Sequence, residues 1–155
     1  MEGKNVFQTF SEVDISSKVK EKNGMKYLPW NEAWTIAKTL FPSISYRITK
    51  TPDGQLYWTD GKTAYVETSV MINDEIITQT LAIMDYKNSA ISLERLTYAD
   101  VNKSIQRCLT KNLAMFGLGL SLWSGEEYSD LARAKKEKAD AAAAEEQTKL
   151  QGIRK

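Results

Sequence analysis

Histidine is absent from all 155 residues, and cysteine occurs once, as Cys108. Without histidine the chain lacks the side chain most often used as a general base near neutral pH, and the commonest metal ligand. A single thiol cannot close an internal disulfide, and no Cys/His cluster exists to hold zinc, which points to a reducing cytoplasmic setting. Carboxylates could still serve an enzyme, but Asp85, Glu94 and Asp100 are too scattered to form a metal site and no paired acidic motif stands out. No cofactor, metal or catalytic residue is therefore expected. No apolar run approaches the roughly 20 residues that span a bilayer. The opening residues, MEGKNVFQTFSEVD, lack the basic start and apolar run of a signal peptide.

An excess of either charge is also missing. Lys and Arg number 21 against 20 Asp and Glu, a net charge of +1. The balance is uneven: residues 131–155 hold 7 basic and 4 acidic side chains, leaving 14 and 16 in residues 1–130. Any polyanion binding must then rest on a local patch and not on overall charge.

What remains is ordinary globular material, 42% hydrophobic, long enough for one domain and a tail. Residues 1–25 read as an N-terminal arm, where Val6, Phe7, Phe10, Val13, Ile15 and Val19 fit a short helix or a docking segment and Lys22-Asn23-Gly24 a turn. A core follows over residues 26–128. In it Trp30, Ala33, Trp34, Ala37 and Leu40 (or Phe41) recur at three and four residues, the buried face of a helix that starts after Pro29 and stops at Pro42. The period then changes to two. Ile44, Tyr46 and Ile48 alternate with polar residues. Gln55–Thr59 is a short second strand, Thr63–Ile72 a third with Ala64, Val66, Thr68 and Val70 on one face, and Glu75–Met84 a fourth. Turn signals at Thr51-Pro52-Asp53-Gly54, Asp60-Gly61 and Asn73-Asp74 join them. After a connector over 85–97, Tyr98–Phe116 runs without Gly or Pro and stops at Gly117. Leu120–Trp123 fits a short last strand. The charged, Ala-rich tail over 129–155 contains Ala141–Ala144 and reads as helical or disordered. The fold class expected is α+β: an antiparallel meander around a long central helix, with a short N-terminal helix.

The long helix carries two patterns. Val101, Ile105, Cys108, Leu109, Asn112, Met115 and Phe116 form one stripe, which makes Cys108 a core residue. Lys103, Arg107 and Lys111, four and four apart, stack on another face. A row of like charges repels itself unless an anion meets it. Such a row fits phosphate binding and also a plain solvated face. Of the aromatics, Trp30 and Trp34 have core spacing. Tyr57, Trp58 and Tyr65 lie on or beside hairpins, where rings can stack on bases for about 1–3 kcal/mol each or simply pack the sheet. Arg47, Lys50, Lys62 and Lys87 lie at strand edges or turns, where they could extend a basic groove. Gly61-Lys62-Thr63 imitates the end of a phosphate-binding loop, but the motif requires Gly where Leu56 stands.

The order of motifs resembles a known family. Tyr27-Leu28-Pro29-Trp30-Asn31-Glu32-Ala33-Trp34, then Met84-Asp85-Tyr86-Lys87-Asn88-Ser89-Ala90-Ile91, then Asn102-Lys103-Ser104-Ile105-Gln106-Arg107-Cys108-Leu109-Thr110-Lys111 and Gly117-Leu118-Gly119-Leu120 are similar to the Sak group of phage single-strand annealing proteins, distant relatives of the Rad-fifty-two annealase. The resemblance covers about residues 25–127. It implies a sheet curved around a long helix, and protomers joined in rings or arcs. It also implies single-stranded DNA held by its backbone in a basic groove with bases exposed, and pairing without ATP during phage recombination in the host cell cytosol. In the distant relative, basic residues before a Phe-Gly pair line the groove. Matched on Phe116-Gly117, they fall on Thr110, Lys111 and Ala114, so only Lys111 carries over. Arg107 and Lys103 supply charge one and two turns earlier.

The DNA-binding set expected is Lys103, Arg107, Lys111, Arg47, Lys62, Lys87 and Tyr65. Partners would be single-stranded DNA, further copies of the chain and, through the tail, a phage exonuclease or single-strand-binding protein, with no membrane. The alternative is a protein-interaction module whose basic row docks an acidic partner. Because the Gly61-Lys62-Thr63 motif is incomplete, phosphate release from ATP should equal that of a Lys62→Ala control; turnover above the control contradicts this reading.

Overall fold

The computed structural model describes residues 3–123, so the tail expected over 129–155 lies outside the described residues. Helix α1, Val6–Ser11, starts at a capping box in which the Asn5 side chain accepts from Gln8 N at 2.8 Å and the Gln8 side chain accepts from Asn5 N at 3.0 Å. Strands β1, Lys20–Lys22, and β2, Met25–Tyr27, form a separate antiparallel hairpin. Its two-residue turn, Asn23 at φ 54° and Gly24 at φ 76°, has the positive dihedrals that match the twist of paired strands. Helix α2, Trp30–Leu40, follows Pro29. Its fully buried Ala33 and Ala37 allow close approach to the last helix, against which α2 packs.

The main sheet comprises β3, Ser45–Ile48; β4, Trp58–Thr59; β5, Ala64–Ile72; and β6, Glu75–Ala82. Every pairing is antiparallel and every one involves β5. Strand β6 runs along one side of β5, from Tyr65↔Ala82 to Ile72↔Glu75. Strands β3 and β4 share the other side end to end, at Thr68–Met71 and at Ala64–Tyr65. The period-two pattern of β5 is fully realised. Ala64, Val66, Thr68, Val70 and Ile72 are buried, while Tyr65 and Met71 on the opposite face are exposed. This is the alternation of a sheet covered on one face.

Helix α3, Tyr98–Met115, covers that inner face. It begins at a second capping box, Thr97 with Asp100, in which the carboxylate accepts from Thr97 N at 3.0 Å. Val101, Ile105, Cys108, Leu109 and Leu113 meet the sheet's apolar residues in one continuous core. The mixed α+β class, the antiparallel sheet and the long central helix are as the sequence predicts.

Three local readings need correction, and one alternative is resolved. Residues 120–123 are helical, with Leu122 N bonded to Gly119 O at 3.1 Å; the bend at Gly117 and Gly119 turns the chain back against α1, not alongside the sheet. Trp30 is 45% exposed, because the helix face it shares with Trp34 overhangs α3. Met115, three residues past the Asn112 that bonds β5, is likewise 45% exposed. At the end of α2 the alternative resolves to Phe41: Leu40 is exposed and Phe41 packs inward, its ring 5.1 Å from that of Phe10.

Gly117 fixes the angle at which α1 docks. Its φ is +113°, and a Cβ there would lie 2.6 Å from Phe7 O and 3.2 Å from Phe7 Cα. The neighbour is backbone, which cannot swing aside as a flexible side chain would. Gly117→Ala should therefore lower stability by about 2–4 kcal/mol. A denaturant-unfolding curve coincident with wild type would contradict the packing.

Candidate nucleic-acid interface

The side of α3 turned away from the core carries the cationic row. Lys103 is exposed, and Arg107 and Lys111 are half-buried. Four-residue spacing advances about 6 Å along the axis and about 40° around it, so the three form a slanting strip that runs from exposed Lys103 to half-buried Lys111. The strip borders β6, where Lys111 Nζ donates to Thr80 O at 3.0 Å. An ammonium has three donors, so two remain for an anion. Glu67, paired with Thr80 across β5–β6, places one carboxylate near this edge on the outer face of the sheet.

A chain of buried polar atoms sets the rotation of α3. Asn112 Nδ2 donates to Thr68 O at 3.0 Å and to Thr68 Oγ1. Thr68 Oγ1 donates to Cys108 Sγ at 3.2 Å, and Cys108 Sγ to Gln79 O at 3.3 Å. These bonds tie α3 to β5 and β6 at once. Leaving one such buried group unmatched costs about 1–3 kcal/mol, which penalises any rotation that would carry the row into the core. Burial pushes the Cys108 thiol pKa up; the Thr68 hydrogen bonds and the Lys111 charge oppose the shift, and Glu67 adds to it.

A second basic group stands on the β1–β2 hairpin. At the C-terminal end of α3, a methyl group added at Gly119 would lie 3.6 Å from Leu28 Cδ2, at the foot of the β1–β2 hairpin. The hairpin carries Lys20, Lys22 and Lys26 on largely exposed strands. Its tip leans on the 85–90 turn through Asn23 Nδ2 to Tyr86 O at 3.2 Å and Asn88 Nδ2 to Met25 Sδ at 3.5 Å. Lys87 stands 5.5 Å above the Tyr86 ring, which is 68% exposed. The hairpin lysines were not among the residues expected from sequence. Their signal was present, in the Asn23-Gly24 turn between Lys20-Glu21-Lys22 and Met25-Lys26-Tyr27.

The remaining expected residues lie elsewhere. Tyr65 and Arg47, whose register partner is Ser69, are on the outer face of the sheet, away from α3. Tyr65 stacks on Trp58 at 6.5 Å with ring planes 14° apart. Lys62 sits in the β4–β5 turn. There the Asp60 carboxylate accepts from Thr63 N at 2.8 Å and Lys62 N at 2.9 Å, bonds that lower its pKa. The backbone donors that would cradle a phosphate are thus occupied by a side chain of the same turn. Among the described residues no group of three or more His, Cys, Asp or Glu could hold a metal, and no helix is long and apolar enough to cross a membrane.

The family described as Sak Single Strand Annealing Protein matches residues 4–152. No curated protein and no solved structure matches the chain.

With its pKa raised and its sulfur inside the core, Cys108 should resist a thiol reagent such as dithionitrobenzoate at pH 8 in the folded protein and react once unfolded by guanidinium. Rapid stoichiometric release from the native protein would contradict the buried chain.

Proposed function

The chain belongs to the Sak single-strand annealing proteins, and from that premise we propose that it binds single-stranded DNA along Lys103, Arg107 and Lys111 and pairs complementary strands without ATP. The observation that carries this reading is the strip itself: three cations on one side of a helix whose rotation is held from within. Annealing must accept any sequence, which calls for phosphate contacts and not base readout. It must also leave Watson–Crick edges free, and flexible lysines bonded to one carbonyl at most suit that requirement. The hairpin lysines and Lys87 continue the track beyond the end of α3. Arg47, Lys62 and Tyr65 belong to other surfaces and are lesser contributors in this reading.

A near-neutral protomer is consistent with such a role if many copies act together. A ring or arc repeats one modest patch, and linked weak contacts multiply in affinity. The setting proposed is phage recombination in the host cytosol, where an exonuclease exposes the single strands and the tail recruits partners.

In the direct test, labelled complementary oligonucleotides are mixed with the protein in the absence of nucleotide and metal, and accelerated pairing is expected. Replacing Arg107 and Lys111 together by Ala should weaken single-strand binding and reduce the slope of log affinity against log salt by about 1.4, from roughly 0.7 per phosphate contact. Thermal melting serves as the folding control, since Lys111 also bonds Thr80. Unchanged affinity at every salt concentration would remove the strip from the DNA site.

A further inference from the structure

The two long sides of the sheet end in different apolar features. Beside β3, a cleft of about 90 Å³ opens between α2, β3 and α3, lined by Trp30, Trp34, Tyr46, Leu109, Thr110 and Leu113. Its wall is preformed: the Trp34 and Tyr46 rings meet edge to face at 5.3 Å. Its rim is open, with Trp30 45% and Tyr46 48% exposed. At the far side, the tip of the β5–β6 hairpin pairs Met71 with Ile76 on the outer face, and Ile76 is 62% exposed.

The charges beside these features are opposite. Asp74 and Glu75 stand at the hairpin tip, exposed, and neither forms an ion pair among the described residues. Lys38, one turn beyond Trp34 on the same face of α2, is exposed beside the cleft, its ammonium donating to Pro42 O at 2.6 Å. An acidic apolar knob on one edge and a basic aromatic hole on the other are complementary to each other and not to themselves. Two such unlike surfaces make a heterologous contact, which repeats head to tail and forms a ring where the rotation closes.

We propose that the occupant of the cleft is the β5–β6 hairpin tip of a second copy of this chain, with Ile76 entering among Trp30, Trp34 and Tyr46 while Asp74 and Glu75 face Lys38. This rests on the ring or arc reading above and names its interface. On the hairpin side the contact lies clear of the cationic strip, because Thr80, which Lys111 touches, is about 14 Å along β6 from Ile76 at 3.4 Å per residue; on the cleft side Thr110 neighbours Lys111.

The head-to-tail geometry gives a specific test by analytical ultracentrifugation. Wild type should sediment as a large oligomer. Ile76→Asp destroys the knob and Trp30→Glu the hole, both at exposed positions, and each variant alone should run as a monomer with near-wild-type thermal melting. Mixed in equal amounts, they should form dimers and nothing larger, since the pair keeps one intact knob and one intact hole. If wild type is oligomeric and either variant, folded, keeps wild-type size, this interface is wrong while the ring reading stands. Two monomeric variants that give no dimer on mixing also overturn it. A monomeric wild type overturns the ring reading and this interface with it.

Discussion

Inside an otherwise apolar contact between helix and sheet, the Asn112 amide, the Thr68 hydroxyl, the Cys108 thiol and the Gln79 carbonyl form a single hydrogen-bonded chain. Apolar packing alone tolerates some sliding and rotation of a helix on a sheet. A buried amide does not, because any large shift strands its donors away from water. Val66, Val70 and Ile72 supply the driving force for α3 to cover the sheet, and the polar chain selects the orientation. The uncovered side of α3 is thereby fixed, and with it the line on which Lys103, Arg107 and Lys111 appear. Asn112 Oδ1 has no hydrogen-bond partner among the described residues, a cost the arrangement carries for the bonds made by Nδ2.

Most of the fold could be read from local pattern, because the patterns that mattered were local. The nine-residue alternation of β5 and the run of α3 between Thr97 and Gly117 have caps, periods and stops written in adjacent residues. Three features depended on something further away. The β1–β2 strands are three residues each with no buried face, so no alternation announces them; their turn was legible and their pairing was not. Trp30 has core spacing, but the described residues leave it 45% exposed. Leu120-Ser121-Leu122 alternates as a strand would, yet two glycines with positive φ redirect the chain into a helical turn.

The candidate site was legible in part for the same reason. Helical spacing alone puts the three cations in a row, and neither composition nor net charge hints at it. Parity in the strands carries equal information: Tyr65 alternates with buried Ala64 and Val66, so it lies opposite α3, and Arg47 alternates with Tyr46 and Ile48 in the same way. Only proximity in three dimensions joins the hairpin to the turn that carries Lys87.

The central claim is that phosphates follow the uncovered side of α3 beside β6. Lysine acetylation footprinting by mass spectrometry, with and without saturating single-stranded DNA, tests it most directly. The account predicts that Lys103 and Lys111 lose reactivity on binding, with Lys22, Lys26 and Lys87 protected to a lesser degree. Equal modification of Lys103 and Lys111 in the free and bound protein, with protection confined to other lysines, would contradict it.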